Sequence, residues 1–186
     1  MVGVTDVTFV STNPGKAREV RELLAPFGVR TKWRRRTLPE PQADDLETVV
    51  EAKIAAVGGV RGYVLVEDSG LFVPSLGGFP GVYSAHFLKL WGFPPLLELL
   101  RRRDRTAYFR TVAGLRRGSR TWTFEGKVAG RIAARPRGRH GFGYDPIFIA
   151  EGGSRTFGEI SETEKNALSH RARAIQRVGR FLVDRP

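Results

Sequence analysis

The stretch Tyr63–Ser84, YVLVEDSGLFVPSLGGFPGVYS, constrains this chain more than any other. Four apolar or aromatic residues, Tyr63 to Val66, make the short run expected of a buried strand. Two carboxylates, Glu67 and Asp68, follow at once, and then Ser69-Gly70. Carboxylates paired at the end of a buried strand cost desolvation and mutual repulsion unless a positive group sits with them. A divalent cation is the commonest such group where phosphate is bound as well. Two glycine-rich turns come next, Gly77-Gly78 and Pro80-Gly81, and they let backbone approach a ligand closely. A strand-end turn with a solvated acidic pair is equally compatible with these residues.

The chain has 186 residues, enough for one domain, 1–186, with a substantial core. Hydrophobic residues make up 41% of it, and no apolar run nears the ~20 residues of a membrane span. The N-terminal MVGVTDVTFVSTN shows no secretory signal, and there is no cysteine for a disulfide or thiolate metal site. These features predict a cytoplasmic protein without a membrane partner. The formal charge is +12, and arginine supplies 25 of the 31 basic residues. Such a surface attracts polyanions, whether nucleic acid or a highly charged small molecule. No helix-turn-helix, zinc-finger or aromatic RNA-binding signature accompanies it, so nucleic acid is not required to explain it.

Val7 to Val10 reads as a first strand, followed by the loop Ser11-Thr12-Asn13-Pro14-Gly15-Lys16. Val20, Leu23, Leu24 and Phe27 then recur at helical spacing. Strand, small-residue loop and helix together offer free N–H groups and a positive helix end beside Lys16, an arrangement suited to phosphate. The Walker A pattern is absent. An ordinary strand-to-helix turn, capped by Asn13 or Ser11, fits the same residues. A second strand is predicted at Val29 to Trp33. Pro39 and Pro41 then hold Glu40 in an extended loop. Asp44 is expected to start a helix carrying Leu46, Val49, Val50, Ile54 and Val57, with Glu47 in a capping-box role. Lys53 falls near its polar side.

Past the central stretch, Pro94-Pro95 opens a short helix over Leu96 to Arg103. Thr106–Leu115 and Thr121–Val128 are two β-like runs, joined in a hairpin by residues 116–120. Glycines alternate with aromatics in Gly141-Phe142-Gly143-Tyr144-Asp145, just before the apolar Ile147–Ile149. This pattern suits a loop lying against a planar ligand, or a bulged hairpin with aromatic packing. Ser161 and Glu164 form a capping box at the start of one long C-terminal helix, one side of which is marked by Leu168, Arg171, Ile175, Val178 and Leu182. On an unbroken helix Lys165 and Ser169 share a face, while His170 points about 140° away from Lys165. One ligand would then have to reach around the helix, or the helix would have to start irregularly. Strands and helices mix throughout, which predicts an α/β or α+β domain on a mixed sheet.

Five segments stand in order along the chain: STNPGK, LPEPQ, VEDSGLFV with SLGGFPGVYS, GFGYDPIF and EKNALSHR. Together they resemble the inosine/xanthosine triphosphate pyrophosphatases, in the form with few insertions found in archaea. The resemblance runs from about Val7 to Val183. It departs at Gly158-Glu159-Ile160, where the family usually shows Ala-Glu-Met, and at His86, where bacterial members often carry arginine.

The resemblance implies a two-lobed α/β fold around a long mixed β-sheet with flanking helices. It implies hydrolysis of non-standard purine nucleoside triphosphates (ITP, dITP, XTP) to monophosphate and pyrophosphate, a homodimer, and Mg²⁺ as cofactor. The loop Ser11, Thr12, Asn13, Pro14, Gly15 and Lys16 would hold the triphosphate. Glu40 and Asp68 would bind the metal, and Asp68 would also accept a proton, with Glu67 supporting it. Lys53 would reach the phosphates and Ser69 the substrate. Phe142, Gly143, Tyr144 and Asp145 would cover the base, and Lys165, His170 and Arg171 would complete the pocket.

Overall fold

A computed structural model of the chain describes residues 5–184. Its first half alternates strand and helix: β1 (Thr5–Val10), α1 (Pro14–Leu24), β2 (Val29–Arg34), α2 (Leu46–Ala56) and β3 (Tyr63–Phe72). The two-residue β4 (Pro80–Gly81), α3 (Ser84–Trp91) and α4 (Pro94–Leu99) follow, then β5 (Thr106–Arg117), β6 (Arg120–Ile132) and β7 (Phe148–Ala150). The chain ends in α5 (Glu162–Leu168) and α6 (His170–Val183). The strands form a mixed seven-stranded sheet in the order β2-β1-β3-β5-β6-β7, with β4 paired to β3.

The chain divides into two compact units, one holding residues up to Asp68, 111–126 and from His170 onward. In this unit β1 runs parallel to β2 and to β3, with Val7 opposite both Thr31 and Tyr63. β3 is buried almost end to end, as expected of a strand paired on both edges. Val7, Phe9, Tyr63 and Leu65 share a core with Val20 and Leu24 of α1 and with Ile175 and Val178 of α6. Phe27 lies against Gly179, where a Cβ would come within 2.4 Å of its ring. On β5, a Cβ at Gly114 would meet Val50 at 2.7 Å, Ile54 at 3.3 Å and Val66 at 3.5 Å, so α2 packs onto that bare stretch of strand.

The other unit holds residues 69–110 and 127–169. Its core gathers Leu71, Phe87, Leu96, Leu100, Phe109, Phe148 and Phe157. Phe109 and Phe148 stand 4.6 Å apart, and Phe148 and Phe157 5.2 Å, ring centre to ring centre. Buried Ser84 ties the end of β3 to β4. Its Oγ accepts the Leu71 N–H at 2.8 Å and donates to the Gly81 carbonyl at 2.6 Å.

Several boundaries differ from the sequence expectation. The carboxylate pair does not end its strand: β3 continues through Ser69-Gly70 to Phe72. Gly70 permits this, because a Cβ there would lie 2.4 Å from the Gly81 carbonyl oxygen. The cap of α2 is Asp45 instead of Asp44, its carboxylate accepting the Thr48 N–H at 2.7 Å. The hairpin strands extend to Arg117 and from Arg120, leaving a two-residue turn at Gly118-Ser119. The expected C-terminal helix is two helices. Ser169 adopts an extended conformation (φ −71°, ψ 157°), closing α5 before α6 begins at His170. The irregular start considered for that helix is this break.

Candidate active site

Residues 63–68 alternate across the pleat of β3. Tyr63 and Leu65 share the face of α1 and α6, and Val66 approaches Gly114 beneath α2. Glu67 continues the first set and Asp68 the second. The two carboxylates therefore leave one strand in opposite directions, and each meets its own cations.

Asp68 is 8% exposed, and its Oδ1 lies 2.6 Å from the Nζ of Lys53. Lys53 comes from α2 and is buried with it. The same ammonium lies 2.8 Å from Oε1 of Glu40, whose extended loop keeps its side chain about half exposed. Burial lowers the affinity of the Lys53 amine for its proton, but the two carboxylates outweigh this and its pKa rises. Burial also pushes the Asp68 carboxyl above the usual carboxylate range, against the pull of Lys16 and Lys53 and with help from the charge of Glu67.

Glu67 lies 2.5 Å from Lys16 Nζ, and its other oxygen is 3.5 Å from both Nη2 and Nε of Arg171. Arg171 in turn donates through Nη1 to Glu19 of α1 at 2.5 Å. Lys16 stands in the first turn of α1, which Asn13 caps by accepting the Lys16 N–H at 3.1 Å. Pro14 occupies a first-turn position where a missing N–H costs nothing. Asn13 N–H itself donates to Ser11 Oγ at 3.1 Å, and Thr12 and Pro14 are exposed.

Two oxygens aimed at one cation fit a divalent metal. Among the described residues no group of three or more acidic, histidine or cysteine side chains is placed to hold one. A hard cation held by two carboxylates, with its other positions filled by water and phosphate oxygens, is the coordination Mg²⁺ accepts.

The second unit carries a separate cluster. Asp145, 3% exposed, accepts the Phe142 N–H at 2.7 Å and the Lys165 ammonium at 2.7 Å through the same Oδ2. Lys165 Nζ also lies 4.6 Å from the centre of the Phe142 ring. Gly141 turns the chain at φ +72°, and a Cβ there would fall 2.0 Å from Asp145 Oδ2. Tyr144 belongs to the core: its hydroxyl donates to the Ser84 carbonyl at 2.8 Å, and burial pushes its pKa up. Phe142 is the partly exposed ring of the pair.

Of the expected residues, the first unit joins Glu40, Lys53 and Asp68 in one group and Lys16 with Arg171, through Glu67, in a second. His170, 4% exposed, begins α6 beside Arg171. The second unit joins Phe142, Asp145 and Lys165. Ser69 is partly buried on β3. Glu19 and Ser84 were not singled out from the sequence. Glu19 lies three residues after Lys16 and four before Leu23, so helical spacing puts it on the buried side of α1.

A model of the Ham1 family matches residues 7–181. The dITP/XTP pyrophosphatase of Pyrococcus horikoshii is 45% identical over 172 residues, covering 91% of this chain and 92% of that protein. That of Thermococcus kodakarensis is 46% identical over 181 residues, covering 96% and 97%. Among solved structures, a HAM1 protein from Coxiella burnetii aligns at a TM-score of 0.82 with 29% identity, over 97% of this chain and 99% of that one. The Ham1 protein of Staphylococcus aureus gives 0.81 and 28%, over 98% and 100%.

Proposed function

This chain belongs to the Ham1 family, and from that premise we propose that it is a nucleoside-triphosphate pyrophosphatase. It hydrolyses non-standard purine nucleoside triphosphates (ITP, dITP and XTP) to the monophosphate and pyrophosphate, and so cleanses the nucleotide pool. The curated relatives named above carry the name dITP/XTP pyrophosphatase and align with nearly the full chain. The observation that carries the reading is the buried Asp68, which shares the Lys53 ammonium with the exposed Glu40.

The chemistry follows from those groups. Water forms a bond to the α-phosphorus while the bond from that phosphorus to the bridging oxygen breaks, and the bond's electrons leave with pyrophosphate. Asp68 takes the proton from the water, a role served by a carboxyl whose pKa is raised. Lys16 and the capped N-terminus of α1 meet the negative charge of the phosphates. Ser11, Thr12, Asn13, Pro14 and Gly15 form the loop that holds them, and Ser69 and Lys53 complete that end. Mg²⁺ held by Glu40 and Asp68 would neutralise phosphate charge and lower the pKa of bound water. Phe142, Gly143, Tyr144 and Asp145 cover the base, and Lys165, His170 and Arg171 complete its pocket. A homodimer and a cytoplasmic location belong to the same proposal; no helix among the described residues is long and apolar enough to cross a membrane.

Products decide the matter. Incubation of ITP, dITP or XTP with Mg²⁺ should release inosine, deoxyinosine or xanthosine monophosphate and pyrophosphate in equal amounts. Release of orthophosphate with a nucleoside diphosphate, or no hydrolysis of any of the three, overturns it.

A further inference from the structure

The β5–β6 hairpin brings two arginine-rich segments together in the second unit. Residues 101–105, RRRDR, lead into β5, and residues 131–139, RIAARPRGR, run on from the end of β6. The Ile132 N–H donates to the Arg105 carbonyl at 2.9 Å, and Arg105 Nη1 donates to the Ala133 carbonyl at 3.0 Å. Eight arginines and one acidic residue, Asp104, therefore share one end of the hairpin. We propose that this end is a docking surface for nucleic acid, which it holds by the phosphate backbone without reading bases.

The charge is not neutralised from within. Asp104 accepts the Thr106 N–H at 3.0 Å and the Thr106 hydroxyl at 2.9 Å, which lowers its pKa and turns it to the start of β5. Two carboxylates meet the arginines, Glu98 on Arg101 at 3.3 Å and Glu159 on Arg137 at 3.5 Å. Both side chains of the first pair are 71% exposed, so the pair is weak and exchanges readily with another anion. Arg103, Arg131 and Arg137 donate to the carbonyls of Ser75, Gly153 and Ser154. A carbonyl orients a guanidinium but leaves its charge uncompensated and its other N–H groups available to phosphate. Arg102, Arg135 and Arg139 are exposed and have no hydrogen-bond or ion-pair partner among the described residues.

The surface is also shaped for a chain of anions. An open cleft of about 350 Å³ is lined by Arg105, Arg131, Arg135 and Arg137. Arg105 also lines a second cleft, of about 490 Å³, together with Arg101. Arg101 in turn lines a third, of about 540 Å³, with Arg102 and Arg103. One phosphate would fill part of one cleft; a row of three linked by shared arginines suits successive phosphates.

Nothing in the lining reads a base. Apart from arginine and Glu98 it is apolar, with no amide or hydroxyl side chain, and its one ring, Phe93, packs against the core. Base-edge recognition needs donors and acceptors at fixed places, and stacking needs an open ring. Exposed guanidiniums without either supply the sequence-independent, salt-sensitive attraction of phosphate contacts. The nucleotide substrate of the proposed reaction has its own cations in Lys16 and Lys53, so these arginines are left over by that site.

The test titrates the full chain into a fluorescently labelled DNA duplex of about 20 base pairs, without Mg²⁺, and follows anisotropy between about 50 and 200 mM salt. Each phosphate neutralised adds about 0.9 to the fall of log affinity with log salt. Wild type should show a slope equivalent to about four phosphates or more, and two duplexes of unrelated sequence should bind within about twofold of each other. The triple variant Arg101→Gln, Arg102→Gln, Arg135→Gln removes three charges from the clefts. The control Arg61→Gln, Arg120→Gln, Arg177→Gln removes three exposed charges from the first unit, so both carry the same net charge. The cleft variant should bind the duplex roughly tenfold or more weakly and flatten the slope by about two to three, while the control loses about threefold or less. Equal losses in the two variants would mean that net charge alone attracts DNA and would overturn the surface. Absence of duplex binding by wild type at the lowest salt, or strong preference for one sequence, also overturns it. So does a cleft variant that loses inorganic polyphosphate but keeps the duplex, since the occupant would then be polyphosphate. The wild-type slope needs no variant and tests the proposal by itself.

Discussion

Lys53 Nζ lies 2.6 Å from Asp68 Oδ1, with both side chains nearly closed to solvent. The cation reaches the carboxylate because α2 packs on the face of β3 to which Asp68 points, while Glu67, one residue earlier, points to α1 and α6. A two-residue acidic motif thus feeds two charge systems. One is Asp68–Lys53–Glu40, open to solvent through Glu40. The other is closed over Glu67.

Asp68→Asn should fold normally and lose at least ~10²-fold in kcat, since the amide can neither accept the proton nor carry the charge. Lys53 keeps Glu40 as its partner in this variant, so the melting temperature should fall little. Steady-state kinetics on ITP at saturating Mg²⁺ checks it. Turnover close to wild type would remove Asp68 from the proton-accepting role.

A metal held by Glu40 and Asp68 would compete with Lys53 for these two carboxylates, so changes on either side should move Mg²⁺ affinity in opposite directions. Glu40→Gln removes a charged donor and should weaken Mg²⁺ binding, read by calorimetry or by the Mg²⁺ dependence of turnover. Lys53→Met removes the competing ammonium and leaves two carboxylates facing each other. It should bind Mg²⁺ more tightly while turning over ITP more slowly. If both variants shift Mg²⁺ affinity the same way, the ammonium and the metal do not compete for those carboxylates.

Much of this site was legible before any coordinates, and the reason differs by segment. The cap at Asn13, the capping box at Ser161 and Glu164, and the α1 stripe all follow from local chemistry that needs no tertiary partner. What could not be read is what distant chain decides. Glu67-Asp68 looked like a strand end, yet β3 continues because β4 approaches Gly70 so closely that only glycine fits. The apolar stripe of α5 and α6 keeps nearly one period across Ser169, so the break is invisible to spacing. Helical spacing places Glu19 on the buried side of α1, but nothing local says which cation meets it there: Arg171 comes from 152 residues later.

Gly126→Ala is the sharpest probe of how α6 is seated. The added methyl would strike backbone at 2.0 and 2.6 Å, with no flexible side-chain end there to give way. A loss of ~1–3 kcal/mol in unfolding free energy is expected, together with a fall in ITP turnover as Arg171 shifts. Denaturant unfolding and kinetics on the same preparation check both. A variant as stable as wild type would mean that α6 yields at no cost.

Acid should weaken the protein through its caps. The N–H and hydroxyl of Ser161 and the guanidinium of Arg155 hold the Glu164 carboxyl down at about 2, and Glu159 and Asp104 are lowered by the backbone N–H groups they accept. A carboxyl with a depressed folded-state pKa gives its full contribution above the unfolded value, about 4.3. That contribution disappears as pH falls from there toward the folded value. Wild type should therefore lose stability more steeply between pH ~4 and ~2 than Glu164→Gln, which keeps hydrogen-bonding capacity and has no charge to titrate. Chemical denaturation at several pH values measures it, and parallel curves would deny Glu164 this role.

Selection among purines should be set at Lys165. Its ammonium is fixed by Asp145 and lies against the Phe142 ring, so it offers a donor beside an aromatic face. Inosine and xanthosine present an oxygen at purine position 6, which accepts; adenosine presents an amino group, which donates. A donor facing a donor in a dry site forfeits ~1–3 kcal/mol, roughly 5- to 150-fold, and more when one group is charged. ITP and XTP should accordingly be turned over well above ATP. Position 6 gives no reason to reject GTP, which carries the same oxygen, so any preference of ITP over GTP must be enforced at the 2-amino group. Lys165→Met should bring the ITP-to-ATP ratio toward one, and Phe142→Leu should raise KM for every purine triphosphate by a similar factor with the ratio kept. Comparing kcat/KM for ITP, XTP, GTP and ATP across wild type and both variants separates the two effects. A Lys165→Met enzyme that keeps its full preference for ITP over ATP would show that another donor reads position 6.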